Sequence, residues 1–341
     1  MPLRRVTIQD IADACGLSRN TVSKVFNDRG SVQEATRLAV MNKARELGYL
    51  QVPENSADLS AEGKSIALLT QRKPISHDFG VNFISSFTNA VSRSGYTIKM
   101  YEASEEELQR NMLPPHLKLE DTAGILGIEL FDKDYLNMIS NLRKPTVFVD
   151  GYARVRQSVR NFDMISMENS SSELALVNRM IEKGARRIGF VGDKEHCNSF
   201  LERWLAYVSA LEDAGLPYDP RLSILEEDGE QYADTEWLLG RLDSMPQIPD
   251  AFACANDFLA IRLMAALKKK GLRIPEDVMV TGFDGSAEAS VVEPSLTTVL
   301  IPGGEIGRLA ASALFERIRH PDAPCLLTYV KTVPVWGGST G

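Results

Sequence analysis

Cysteine and histidine are scarce in this 341-residue chain, four of each, and their placement excludes several chemistries. Cys15, Cys197, Cys254 and Cys325 show no paired spacing and the histidines do not cluster with them, so no zinc or other metal site is expected. His196 and Cys197 are neighbours, but no orienting acid accompanies them, and buried or incidental cysteine is the expected role. The chain also lacks a GxGxxG turn, a GxSxG elbow and a P-loop; GILGIE does not have the required glycine spacing. An enzyme is therefore not expected, and no cofactor is implied. No apolar run approaches the roughly 20 residues that span a bilayer. The opening MPLRRVTIQD has two arginines with no apolar stretch behind them. Neither a membrane partner nor a secretory leader is read there, and the expected location is the cytoplasm.

With 44% hydrophobic and 25% charged residues, the composition is that of an ordinary globular protein long enough for two or three cores. The net charge of −8 would repel a polyanion, yet it is unevenly spread. Residues 1–50 hold eight Lys/Arg against five Asp/Glu, whereas the remainder holds 30 against 41. Only the first segment is suited to phosphates.

Residues 6–27, VTIQDIADACGLSRNTVSKVFN, have the pattern of two short helices joined by a tight turn. Thr7 can cap the first helix with Asp10 three positions on, Gly16 permits a positive φ, and Ser18 can cap the second helix. Ile8, Ile11 and Ala12 form one apolar stripe, Val22, Val25 and Phe26 another, with Leu17 at the corner. A third helical segment, Thr36 to Leu47, offers Val40, Ala44 and Leu47 to close the miniature core before Gly48 stops it. Arg19, Asn20, Ser23, Lys24 and Asn27 then stand on the outer face of the second helix. Arginine can donate twice to guanine and asparagine can pair with adenine, so this face suits a major groove.

Thr7, Asp10, Ile11, Ala12, Gly16, Ser18, Thr21, Val22, Ser23, Val25, Asn27, Thr36, Arg37, Leu47, Gly48 and Tyr49 carry a resemblance to the headpiece of the lactose-repressor (LacI/GalR) family of bacterial transcription regulators. The resemblance implies that Thr7, Ser18, Arg19, Asn20, Thr21, Ser23, Lys24 and Asn27 serve DNA binding, with Arg19, Asn20 and Lys24 at base edges.

From Lys64 onward the runs SIALLT, IKMY, AGILGI, PTVFVD, RIGFVG, AFACAN and VMVTGFD alternate with segments that fit helices, at Phe83–Arg93, Asn169–Lys183, Phe200–Ala214, Leu259–Lys270 and Glu305–Ile318. Such alternation predicts an α/β fold with parallel sheets, and the strand count favours two sheets with a cleft between them. PTVFVD, ARRIGFVG, ERWLAYVSALEDAGL, PDAFACANDFLAIRLMAALKKKGLRIPEDVMVTGFD and EPSLTTV extend the family resemblance over nearly the whole chain. It implies a two-lobed, periplasmic-binding-protein-like core of doubly wound parallel sheets with crossing hinge strands. The expected organisation is an all-α helix-turn-helix headpiece at 1–50, a linker at 51–63, and an effector-binding and dimerisation core at 64–341.

Ligands in open α/β sheets collect at the carboxyl ends of strands. Asp150, Asn256, Asp257 and Asp284 follow such strands, and the resemblance adds Phe79, Ser199 and Arg203 as effector-facing positions. The expected effector set is Phe79, Asp150, Ser199, Arg203, Asn256 and Asp284. Each has a plainer alternative. Asn256 or Asp257 also fits as a cap of the following helix, Arg203 as a surface partner of Glu202 or Asp213, Asp150 and Asp284 as turn residues, and Phe79 as core. Carboxylates with Asn and Arg meet sugar hydroxyls, so a carbohydrate effector is expected; nucleosides, purines and a protein corepressor remain alternatives.

The linker departs from the family pattern. Pro53 is displaced, the segment reads Ala57, Asp58, Leu59, and Glu54, Asp58 and Glu62 place negative charge where phosphates would lie. Leu59 is the candidate minor-groove wedge of a hinge helix. The chain ends at VWGGSTG without heptads, so a homodimer on double-stranded operator DNA is the expected assembly.

Overall fold

A computed structural model of the chain describes residues 6–26, 32–33, 36, 39–40, 43–44, 47, 64–71, 78–155 and 162–341, with Asp78 and Phe79 described by backbone alone. The chain divides into two compact units, Met1–Glu62 and Gly63–Gly341. The linker reading and its candidate Leu59 lie outside the described residues.

In the first unit, α1 (Ile8–Cys15) begins with the expected reciprocal cap. The Thr7 N–H donates to Asp10 Oδ2 at 2.8 Å, while the Asp10 N–H donates to Thr7 Oγ1 at 3.3 Å. Gly16 ends the helix at φ +65°, which returns the chain at once into α2 (Arg19–Phe26). Ser18 Oγ accepts from the Thr21 N–H at 3.1 Å. Ile11, Ala12, Val22, Val25, Val40 and Ala44 form the buried core, with Ile8, Leu17 and Phe26 half-buried against it. Leu47 does not join them and is 36% exposed.

The second unit has two lobes. The first is built on β1 (Ser65–Thr70), β2 (Thr97–Glu102), β3 (Thr122–Ile128), β4 (Thr146–Val149), β5 (Asp163–Met167) and β10 (Leu327–Val330), an all-parallel sheet in the order β2-β1-β3-β4-β5-β10. Its central strands are apolar on both faces because helices cover both. Ile66, Leu68, Leu126, Ile128, Val147, Val149 and Ile165 meet α3 (Asp78–Arg93) and α11 (Gly303–Arg319) on one face. Ala67, Leu69, Ile125, Phe148 and Met164 meet α5 (Lys133–Ser140) on the other, beyond the short α4 (Glu105–Arg110). β2 is an edge strand and largely exposed.

The second lobe carries β6 (Ile188–Val191), β7 (Ala251–Cys254) and β8 (Met279–Thr281), parallel in that order. An isolated parallel bridge from Val191 to Ile224 extends the sheet beyond β6. α6 (Ser170–Glu182) packs on α7 (Asn198–Asp213), and α8 (Thr235–Ser244) on α9 (Asp257–Lys269), around one core that includes Phe190, Tyr207, Phe252 and Leu263. The short α10 (Ala287–Val291) precedes β9 (Thr298–Leu300), which pairs antiparallel with β11 (Val333–Val335).

The chain passes between lobes after β5, after β9 and after β10. The first and third passages lie side by side: the Glu168 N–H donates to Val330 O and the Thr332 hydroxyl donates to Glu168 O, both at 2.7 Å. Both sheets turn back on themselves at the cleft, the first between β1 and β3, the second between β6 and β7. These switch points are where α/β sheets leave a crevice.

α3 and α11 touch closely at Gly307, where a Cβ would come within 2.5 Å of Phe83 O and 3.1 Å of Phe87 N. Gly307→Ala should therefore destabilise the core by about 1–3 kcal/mol despite alanine's better helix propensity, as read from the urea midpoint.

Candidate functional site

The outer face of α2 carries the candidate DNA-contacting residues. Arg19, Asn20 and Lys24 are exposed and, among the described residues, have no hydrogen-bond or ion-pair partner. Thr7, Ser18 and Thr21 use their hydroxyls locally: Thr7 Oγ1 donates to Asp10 at 2.7 Å, and Ser18 and Thr21 share a bond at 2.8 Å. Ser23 is half-buried. Asn27 lies outside the described residues.

In the cleft, Arg203 is the central side chain. It is only 2% exposed, so the surface-partner alternative does not hold. Its Nε donates to Asn169 Oδ1 at 3.0 Å and its Nη1 to Ala255 O at 2.5 Å, with Asp284 Oδ1 at 3.4 Å. The guanidinium carbon lies 3.7 Å from the centroid of Phe283 and 5.8 Å from that of Phe200. A cation held between aromatic faces and fixed acceptors has one orientation.

Asp150 follows β4 and Asp284 follows β8 by three residues, at φ +59° and φ +120°. Glu129, directly after β3, has φ +53°. Three acids at strand ends in this backbone region are an uncommon concentration of strain, of the kind that accumulates at ligand sites. Burial pushes the Asp150 carboxyl up to about 6, opposed by the Ser199 hydroxyl and the Arg203 charge. One Asp150 oxygen has no hydrogen-bond partner among the described residues. Asp284 is likewise raised, by burial, against the pull of Arg203.

The remaining expected residues sort differently. Ser199 is buried in the first turn of α7, its hydroxyl 3.0 Å from Met167 Sδ. Asn256 caps α9 by accepting from the Leu259 N–H at 2.9 Å, the plainer of its two readings. Asp257 accepts from the Thr298 hydroxyl at 2.5 Å and the Ser286 N–H at 2.7 Å, so it ties loops together. Phe79 stands in the first turn of α3. Cys197 is buried, which holds its thiol well above the usual range, and its sulfur accepts from the Phe200 N–H at the start of α7.

Sequence reading missed the layer beneath. Glu202 accepts from Asn169 Nδ2, Asn198 Nδ2 and the Tyr329 hydroxyl, each at 2.8 Å, and so joins α7 to the first passage and to β10. Glu173 is fully buried in α6, with both carboxylate oxygens unpartnered among the described residues. Burial pushes it up to about 8, partly offset by Arg203.

Comparison with known proteins sets these two sites in one frame. Residues 7–51 match the family described as "Bacterial regulatory proteins, lacI family", and residues 177–340 match the "Periplasmic binding protein-like domain". The chain carries a lacI-family DNA-binding segment followed by a periplasmic-binding-protein-like domain, and its homologues are regulators of the lacI family. It is thus an effector-regulated DNA-binding regulator. It is 28% identical over 321 residues to the HTH-type transcriptional regulator CelR of Thermobifida fusca, covering 92% of each chain. It is 27% identical over 320 residues to the HTH-type transcriptional repressor PurR of Haemophilus influenzae, covering 93% of this chain and 92% of that one. A solved structure of a CelR–cellobiose complex superimposes with a TM-score of 0.71 at 27% identity, covering 98% of this chain and 100% of that one.

An acid whose folded pKa exceeds its unfolded value holds its proton more tightly when folded; its stabilising effect is full below the unfolded pKa and is lost as pH rises through the folded one. For Glu173 that interval runs from 4.5 to about 8. Glu173→Gln should flatten the fall in stability between about pH 6 and about pH 8.5 by on the order of 1–3 kcal/mol, measured by urea unfolding on tryptophan fluorescence.

Proposed function

We propose that this chain is a cytoplasmic transcriptional repressor, not an enzyme, that binds operator DNA as a homodimer and is switched by a sugar held in the cleft. The observation that carries this reading is the joint presence of an unpartnered Arg19–Asn20–Lys24 face and a cleft where Asp150, Arg203 and Asp284 converge from two lobes. No helix among the described residues is long and apolar enough to cross a membrane.

Arg19 and Asn20 choose bases, and Lys24 adds a contact at the groove. Two copies pair through their cores and set two headpieces on half-sites about 34–36 Å apart. Asp150, with its unpartnered oxygen, accepts from a hydroxyl; Arg203, already oriented, donates to an oxygen; Asp284 supplies a further polar contact, and Ser199 a hydroxyl. A neutral carbohydrate matches this mixture of acceptors and donors. The cellobiose in the CelR complex supports the same class. Closing the lobes over the sugar shifts the cores against each other and changes the headpiece spacing, and a coupling of about 1–3 kcal/mol changes operator affinity roughly 5- to 150-fold.

Two experiments test the two halves. Selection of duplexes from a random library should recover a near-palindrome, and Arg19→Ala should relax preference at one base position per half-site by about 1–3 kcal/mol; equal binding to all sequences by the intact protein would sink the DNA half. A thermal-shift screen of neutral sugars, cellobiose among them, should find a ligand that adds about 2.7 kcal/mol at a hundred times its dissociation constant. Stabilisation by nucleosides alone would replace the sugar assignment.

A further inference from the structure

Apart from the three passages of chain, the lobes meet through a separate cluster of contacts across the cleft. Phe131, after β3 in the first lobe, packs its side chain against the core of the second lobe. Its ring lies 4.8 Å from His196 in an edge-on arrangement, and His196 in turn lies 5.1 Å from Phe200. Arg154 Nη2 pairs with Glu195 at 2.9 Å, and the Asn198 N–H donates to Gly151 O at 2.8 Å. All these second-lobe partners except Phe200 fall within Glu195–Asn198, which leads directly into the turn of α7 that carries Ser199 and Arg203.

Both halves of this contact are anchored on their own lobes. The Phe131 N–H donates to Gln71 Oε1 at 3.2 Å, so the loops after β1 and β3, the two sides of the first switch point, hold it together. On the other side, His196 Nδ1 is 3.4 Å from Asp228 Oδ2, and Asp193 accepts from the N–H groups of Glu195 at 2.8 Å and Asp228 at 3.2 Å. A half-buried ring inserted into the opposite core loses contact area if the lobes part, whereas the exposed Arg154–Glu195 pair adds little.

We propose that Phe131 and Glu195–Asn198 form a clasp that closes the effector cleft, with Phe131 as the plug whose withdrawal sets how readily the cleft opens over Asp150, Ser199 and Arg203. This rests on reading the cleft as the effector site. The clasp is built so that opening at the mouth and movement at the start of α7 are one event: Asn198 is both a clasp contact, through its N–H, and a donor to Glu202, through its side chain.

Hydrogen–deuterium exchange on the full-length protein, with no ligand added, tests it. Phe131→Ala should speed exchange of the peptide covering residues 195–199 about tenfold or more, and Arg154→Ala less than threefold, while peptides over β1 and β7 keep their protection. Unchanged exchange at 195–199 in Phe131→Ala overturns the clasp. So does a loss of protection spread equally into β7, which would mean that Phe131 merely supports the second core; Phe131→Leu, which keeps an apolar plug, should recover most of the protection at 195–199. A sugar screen that finds no ligand would defeat the effector reading and leave the exchange result standing.

Discussion

A guanidinium removed from water is tolerated only where its charge and its donors are met, and the second unit is arranged around meeting those of Arg203. Asn169 from the first passage, Ala255 O from the end of β7 and Asp284 from beyond β8 supply the acceptors, while Phe283 and Phe200 cover the faces. These groups come from four separate segments of the chain. Their meeting point is where the lobes join, so Arg203 ties the first passage to the strand ends of the second lobe.

The acids around it follow from the same constraint. Asp150, Asp284 and Glu173 are pushed up by burial, and Arg203 pulls each of them back down. Glu202, one position before Arg203, turns away from it and collects three donors instead. Asp150, Asp284 and Glu173 are thus a set of carboxyls sharing one cation, with one Asp150 oxygen left unpartnered among the described residues.

How much of this could be read in advance depends on where the determining contacts lie along the chain. The central strands were legible because burial on both faces produces runs such as SIALLT and AGILGI. DMISM in β5 and LTYV in β10 were passed over, since each is short and mixes polar residues into the run, and their pairing joins positions about 160 residues apart. The small α4, α5, α8 and α10 were missed for want of a long periodic pattern. In the headpiece the caps were local and readable, while the helical spacing that grouped Leu47 with Val40 and Ala44 did not bury it. In the cleft, the strand-end rule pointed to Asp150 and Asp284, which the fold brings to Arg203. Asn169, Glu202 and Phe131 act through contacts dozens of residues away, which no local pattern encodes.

The placement of β10 and α11 has a bearing on how the molecule is made. Both belong to the first lobe, although the chain has by then built nearly all of the second. A ribosome therefore releases a second lobe with its sheet already synthesised while the first still lacks its edge strand and the helix that covers Ile66, Leu68 and Val147. Until α11 and β10 emerge, the lobe that begins first exposes an apolar sheet face together with the unpaired edge of β5.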